Sequence, residues 1–196
     1  MQSIIDRAKS IQLITNPYTG LIDGCLTGKG ESWDNYLLSK YNGKHRYFNW
    51  SEIYKQEGVK QSIVERSIKN IIRRIADLKP LTSYSLIHSD LNQRNLFVNK
   101  ETHTIVSIID WTESLFGDPL FEFARVRMNI RFNQPENEEY FLSLLRLSES
   151  EIKTEQLYFD IHMLDYVNWY SESWNKTDTR NYRLEFILDY LEKYVQ

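Results

Sequence analysis

Cysteine occurs once in 196 residues, at Cys25. A single thiol excludes an internal disulfide and a cysteine-based metal cage, and it suits a reducing compartment. Internal repeats and low-complexity linkers are missing as well. No apolar run approaches the roughly 18 residues that a membrane span needs. Residues 1–15 mix polar and apolar side chains rather than forming a secretory signal, so a cytoplasmic location is expected. Excess charge of one sign is also lacking. The net charge of −3 gives no reason to expect nucleic acid or a membrane surface as a partner. What remains is enough chain for one domain with a sizeable buried core.

A phosphate-binding P-loop is absent too. Four of the seven glycines fall in Gly20–Trp33, GLIDGCLTGKGESW. Such a loop needs Gly-x-x-x-x-Gly-Lys-Ser/Thr, so that backbone N–H groups and the lysine ring the phosphates. Gly24 and Gly28 stand one residue too close, and Gly30 occupies the place of the hydroxyl. Lys29 is therefore not expected to hold phosphate. Farther on, Lys44, His45 and Arg46 lie beside Tyr47, Phe48 and Trp50. Three basic residues are too few for a nucleic-acid patch, and a surface loop with aromatic anchors is expected.

The informative stretch is Tyr84–Asp110, YSLIHSDLNQRNLFVNKETHTIVSIID. Tyr84–Ile87, Leu96–Val98 and Ile105–Ile109 are rich in β formers, which predicts strand, polar loop, strand, tight turn, strand. Residues Asn99–His103 fold the last strand back beside its predecessor and bring Asp110 near Asn95. The first loop reads His-x-Asp-x-x-x-x-Asn, with His88, Asp90 and Asn95. Phosphoryl transfer needs in-line positioning and neutralised phosphate charge rather than covalent chemistry from the protein. Asp90 can accept a substrate hydroxyl and take its proton. Asn95 and Asp110 supply two oxygen ligands of the kind magnesium shares with phosphates and waters. His88 serves best as a brace for the loop. Asp90, Asn92 and Asn95 are also natural loop formers, but the flanking strands and the terminal Asp match the kinase pattern.

These residues resemble the C-terminal lobe of the aminoglycoside phosphotransferases and related small-molecule kinases, such as the choline, homoserine and macrolide kinases. Their loop is usually His-Gly-Asp-x-x-x-x-Asn, followed by a hairpin and Ile-Asp-Trp or Ile-Asp-Phe. Here the same places read His88-Ser89-Asp90 to Asn95 and Ile109-Asp110-Trp111. Gly117-Asp118-Pro119-Leu120-Phe121-Glu122-Phe123-Ala124 is similar to the family's Gly-Asp-Pro-x-x-Asp-Leu-Ala. Ser89 for Gly and Glu122 for Asp are the two departures. The resemblance implies a mainly helical α+β lobe of a protein-kinase-like fold, with a small antiparallel hairpin beside the catalytic loop. It implies transfer of a phosphate from ATP or GTP, with Mg²⁺, to a hydroxyl of a small molecule. Asp90 and His88 would be the catalytic residues, Asn95 and Asp110 the metal and nucleotide ligands, and Asp118 a brace. The Gly-rich run looks like the segment where a turn leads into a helix beginning Ser32-Trp33.

The remaining chain fits one lobe, with a catalytic block at 84–124 and a helical substrate-side part at 136–196. Val59–Leu78 has strong helical periodicity and ends before Pro80. Asp118 and Pro119 read as N-cap and first helical residue. Helices are expected at about 4–15, 120–130, 138–147, 151–174 and 180–195. Residues 136–196 carry 13 acidic and 6 basic side chains against 14 and 18 before them, an asymmetry suited to a cationic acceptor. The kinase pattern also calls for a nucleotide-covering loop, a strand lysine and a helix glutamate before the catalytic loop. None is found in residues 1–87: Lys55, Lys60 and Lys69 fall in a loop or on the helical stretch. Three readings follow. The chain is a phosphotransferase completed by a separate or preceding N-terminal lobe, an inactive remnant that still binds metal or a small cation, or an interaction module.

Overall fold

The computed structural model describes residues 1–22, 28–30, 32–42, 49–171 and 178–195. Gly24, Cys25, the stretch from Lys44 to Phe48, and Trp174 lie outside them. In chain order the elements are α1 (Gln2–Ile11), β1 (Thr15–Asn16), β2 (Thr19–Ile22), β3 (Gly28–Gly30), α2 (Trp33–Ser39), α3 (Trp50–Ile53) and α4 (Gln61–Ile75). There follow β4 (Tyr84–Ile87), β5 (Leu96–Val98), β6 (Ile105–Ile108), β7 (Leu115–Gly117), α5 (Pro119–Asn133), α6 (Glu138–Leu145), α7 (Glu149–Ser171) and α8 (Asp178–Tyr194). They form two compact units, residues 1–36 with 80–158 and residues 37–79 with 159–196. None of the described helices is long and apolar enough to cross a membrane.

The first unit is built on an antiparallel sheet of order β1-β4-β7-β2-β3. β7 runs between β4 and β2, and all three of its residues are buried, as a central strand requires. This sheet was only partly expected, since strands of two to four residues around Pro17 and Gly20 are too short to show alternation. The β5–β6 hairpin stands apart as a second sheet, with Leu96 opposite Ile108 and Phe97 opposite Ser107. Its turn is tied by Asn99, whose side-chain oxygen accepts from the backbone N–H of Glu101 and Thr102.

Helix α5 starts where the sequence places it. Asp118 Oδ1 accepts from Leu120 N at 2.9 Å, and Pro119 fills the first helical position, where no N–H is needed. The other carboxylate oxygen accepts from the hydroxyl of Tyr158 at 2.9 Å, and that hydroxyl accepts from Trp33 Nε1 at 2.8 Å. Burial is the main cause that pushes the Asp118 carboxyl above its ordinary range, and it pushes Tyr158 up as well. Trp33 also meets the edges of Phe121 and Tyr158. Gly117 makes that packing possible, because a Cβ there would lie 2.5 Å from the indole ring.

In the second unit the apolar stripe of α4 buries Ile63, Val64, Ile71 and Ile75, each worth about 1.5–3 kcal/mol relative to exposure. The helix is three residues shorter at its C-terminal end than its periodicity suggests, and it packs on α8. Buried ion pairs accompany this core: Arg74 with Asp160, which also accepts from Tyr190, and Lys40 with Asp165. Trp50 is an aromatic anchor as expected, donating from Nε1 to Lys40 O at 2.9 Å.

Tyr158→Phe keeps the ring and deletes the hydroxyl that serves Trp33 and Asp118 together. Leaving both buried groups unpaired should cost about 1–3 kcal/mol of unfolding free energy. Urea titration measures it; an unchanged midpoint would show that the relay contributes nothing.

Candidate active site

The chain leaves β4 at Ile87 and turns through Ser89, whose φ of 66° lies in the left-handed region. That conformation costs a non-glycine residue roughly 1–2 kcal/mol. Ser89 is therefore a costlier departure from the family's Gly than the sequence suggests. A 3-10 turn, Gln93–Asn95, closes the loop, with Asn92 Oδ1 accepting from Arg94 N.

Four hydrogen bonds close the loop into a ring. Asp90 N donates to His88 Nδ1 at 3.3 Å, and His88 Nε2 bonds Ile109 O at 2.8 Å. Ile109 N donates to Asn95 O at 3.0 Å, and Asn95 Nδ2 donates to Asp90 O at 2.9 Å. An imidazole that accepts at Nδ1 carries its proton at Nε2. His88, fully buried and edge-on to Trp111 at 4.8 Å, is thus a brace. The bond from Ile109 to Asn95 prolongs the β5–β6 ladder, so the hairpin register sets Asp110 beside Asn95. The ring brings His88, Asp90 and Asn95 together, and Asp110 directly follows Ile109, the residue bonded to both His88 and Asn95.

Side-chain bonds orient each group further. Asn95 Nδ2 also reaches Asp90 Oδ2 at 3.1 Å, which leaves the amide oxygen of Asn95 available as a ligand. Asp110 sits at φ 63°, a conformation aspartate tolerates better than most residues. Its Oδ1 accepts from Thr112 Oγ1 at 2.7 Å. Among the described residues no three His, Cys, Asp or Glu side chains gather as a metal cage. An amide oxygen and a carboxylate are the donor types magnesium takes, alongside waters and phosphate oxygens.

Two residues on one face of α5, three apart, complete the assembly. Glu122 Oε2 accepts from the backbone N–H of His88 and, at 3.1 Å, of Ser89. It is the buried clamp of the loop. Its Oε1 meets no hydrogen-bond partner among the described residues. Burial pushes the Glu122 carboxyl above its ordinary value, against the opposing pull of those amides, of the His88 ring and of Arg125. Arg125 was not anticipated. Its Nη2 lies 3.1 Å from Asp90 Oδ1, so both oxygens of the candidate base are held. The only sequence signal was its place three residues after Glu122, on the same helical face.

With this geometry in view, comparisons with known proteins give the family. The model of the phosphotransferase enzyme family matches residues 30–155. That is more than half of the chain, which belongs to this family. A search of curated proteins finds no match. Among solved structures, the apo form of a thermostable mutant of aminoglycoside phosphotransferase APH(4)-Ia superimposes with a TM-score of 0.74 at 20% identity, over 96% of this chain and 64% of that one. The same protein in ternary complex with AMP-PNP and hygromycin B gives 0.73 at 21% identity, over 96% and 63%. Choline kinase LicA from Streptococcus pneumoniae gives 0.51 at 20% identity, over 98% and 64%. The chain thus spans under two thirds of these proteins' length. The fold is the mainly helical C-terminal lobe of a kinase-like fold.

Two substitutions test the loop. Ser89→Gly relieves the left-handed strain and should raise stability by about 1 kcal/mol; a loss would mean that the serine side chain contributes more than its strain. The Glu122 effect appears in the pH dependence. A raised folded-state value means that protonation favours folding, so this contribution is complete below about pH 4.5 and is lost as pH climbs through the folded value. Glu122→Gln should flatten that decline in melting temperature, leaving the slope of the same sign that Asp118 contributes. An identical profile in the variant would contradict the assignment.

Proposed function

We propose that this chain is the acceptor-side lobe of a phosphotransferase that moves the γ-phosphate of ATP or GTP to a hydroxyl of a small, cationic molecule. The observation that supports the reading best is the hydrogen-bonded ring that ties Asp90 to Asn95 and both to Ile109, the residue before Asp110. Family membership supports the reaction type. Solved relatives named for an aminoglycoside and for choline, one of them holding AMP-PNP and hygromycin B, support a nucleotide and an amine-bearing acceptor. The acidic balance of residues 136–196 points the same way.

Asp90 accepts the acceptor hydroxyl and takes its proton as the oxygen approaches the γ-phosphorus in line. His88 holds the loop in one tautomer, and Glu122 fixes its backbone. Asn95 and Asp110 would hold magnesium, which would neutralise charge on the nucleotide phosphates. The phosphate lysine, the nucleotide cover and the helix glutamate of the kinase pattern would come from a further N-terminal lobe, on a longer chain or a separate polypeptide. The one-lobe organisation, with its catalytic block at 84–124 and substrate-side helices at 136–196, belongs to this proposal, as does a cytoplasmic setting.

Purified alone, the 196-residue chain should show almost no turnover of ATP, because each missing phosphate contact typically costs about 10²–10³-fold. Robust turnover would overturn the need for a second lobe. In the form completed by a small lobe, calorimetric titration of magnesium nucleotide separates the roles. Asp110→Ala should lose binding, Asn95→Ala should weaken it less, and Asp90→Ala should retain it. In the form completed by a small lobe, Asp90→Ala should lower single-turnover rates by about 10²–10⁴-fold. Parental behaviour of all three variants would favour an inactive remnant or an interaction module.

A further inference from the structure

Arg125 stands where a structural ion pair would be out of place. A cation bonded to a general base competes for the lone pairs that must receive the substrate proton. Arg125 Nη2 nevertheless lies 3.1 Å from Asp90 Oδ1, while Asn95 Nδ2 lies 3.1 Å from Asp90 Oδ2. The amide alone already orients the carboxylate. The contrast with Arg127, two residues on in the same helix, is informative. Arg127 lies in a buried cluster with Glu138, Glu155 and Gln156. The Arg125 and Asp90 side chains keep 16% and 29% of their surface exposed, so a ligand can reach the pair. Asp110, the metal-side carboxylate, is held by a neutral hydroxyl instead. The guanidinium has thus been placed on the acceptor side, beside the atom that loses its charge during the reaction.

We infer that Arg125 exchanges partners during phosphoryl transfer, leaving the Asp90 carboxylate for oxygens of the transferring phosphoryl group. The inference rests on the phosphotransferase reading and adds a catalytic residue to it. As the acceptor O–H bond breaks, its proton passes to Asp90. The acceptor oxygen uses the released electron pair to bond the γ-phosphorus. The bond from that phosphorus to the bridging oxygen breaks, and its electrons leave with the nucleoside diphosphate. Proton transfer turns Asp90 into a neutral acid, and the guanidinium loses the charge it is bonded to, while the Glu122 carboxylate still acts on it. The nearest new oxyanion is the phosphoryl group arriving at the same hydroxyl. A planar guanidinium binds such oxygens in a forked geometry that an ammonium lacks.

Neutralising Asp90 by substitution imitates the protonated state and can be tested on the chain itself, without turnover. The probe is inorganic phosphate, titrated and followed by phosphorus NMR. Asp90→Asn should bind phosphate about tenfold more tightly than the parent, since the guanidinium is released to an oxyanion. Adding Arg125→Met to Asp90→Asn should return affinity to the parental level, with Arg125→Lys in the same background keeping part of the gain. Melting curves verify that each variant is folded, and the lysine variant carries the comparison if the methionine variant is not. No gain in Asp90→Asn would overturn the exchange, as would a gain that survives in Asp90→Asn with Arg125→Met. Titration with magnesium nucleotide separates the two claims. Phosphate gained through Arg125 in a chain that binds no magnesium nucleotide even when completed by a small lobe sinks the phosphotransferase reading; nucleotide binding without the phosphate gain sinks only the exchange.

Discussion

The ring of hydrogen bonds through His88, Ile109, Asn95 and Asp90 is the constraint on which the site depends. Each bond contributes only about 0.5–1.5 kcal/mol net. Four such bonds cannot hold a loop with a left-handed serine at its start unless the scaffold supplies rigidity. β4 fixes the entry to the loop, the β5–β6 ladder fixes its exit, and α5 clamps its first residues through Glu122. Breaking any one support frees the others only partly, because the ring shares its members with all three. The position of Asp110 is a consequence of strand register rather than of any contact with Asp90.

The placement of α5 is the second requirement. Asp118 starts the helix and is itself tied to Tyr158 and Trp33. A shift at that N-terminus would carry Glu122 and Arg125 away from the loop together. Burying Glu122 costs stability above the ordinary carboxyl range, and the two backbone N–H groups offset part of that cost. Stability is therefore traded for loop geometry at Glu122 and at Ser89, as expected where function rather than packing fixes the backbone.

Much of this was legible in the sequence, for identifiable reasons. The hairpin strands carry β-branched residues around a polar turn that begins at Asn99, and His88, Asp90, Asn95 and Asp110 have the spacing of a loop between strands. Asp118 followed by Pro119 announces a helix start on local chemistry alone. The strands β1, β2, β3 and β7 were hidden because two to four residues cannot display a period and their pairing is remote. Arg125 was hidden because its partner lies 35 residues away and helix periodicity marks a face without naming what it meets. The strain at Ser89 was half visible: the family's glycine at that place signals a backbone that prefers no Cβ.

The most direct test of the central claim is paramagnetic broadening of backbone amide signals by Mn²⁺ added with AMP-PNP. If the ring, Asn95 and Asp110 form a phosphoryl-transfer site, broadening should be strongest at Asn95, Ile109, Asp110 and Thr112 and should vanish in Asp110→Ala. Broadening centred on the acidic residues of α6 or α7, with Asn95 and Asp110 untouched, would contradict the account.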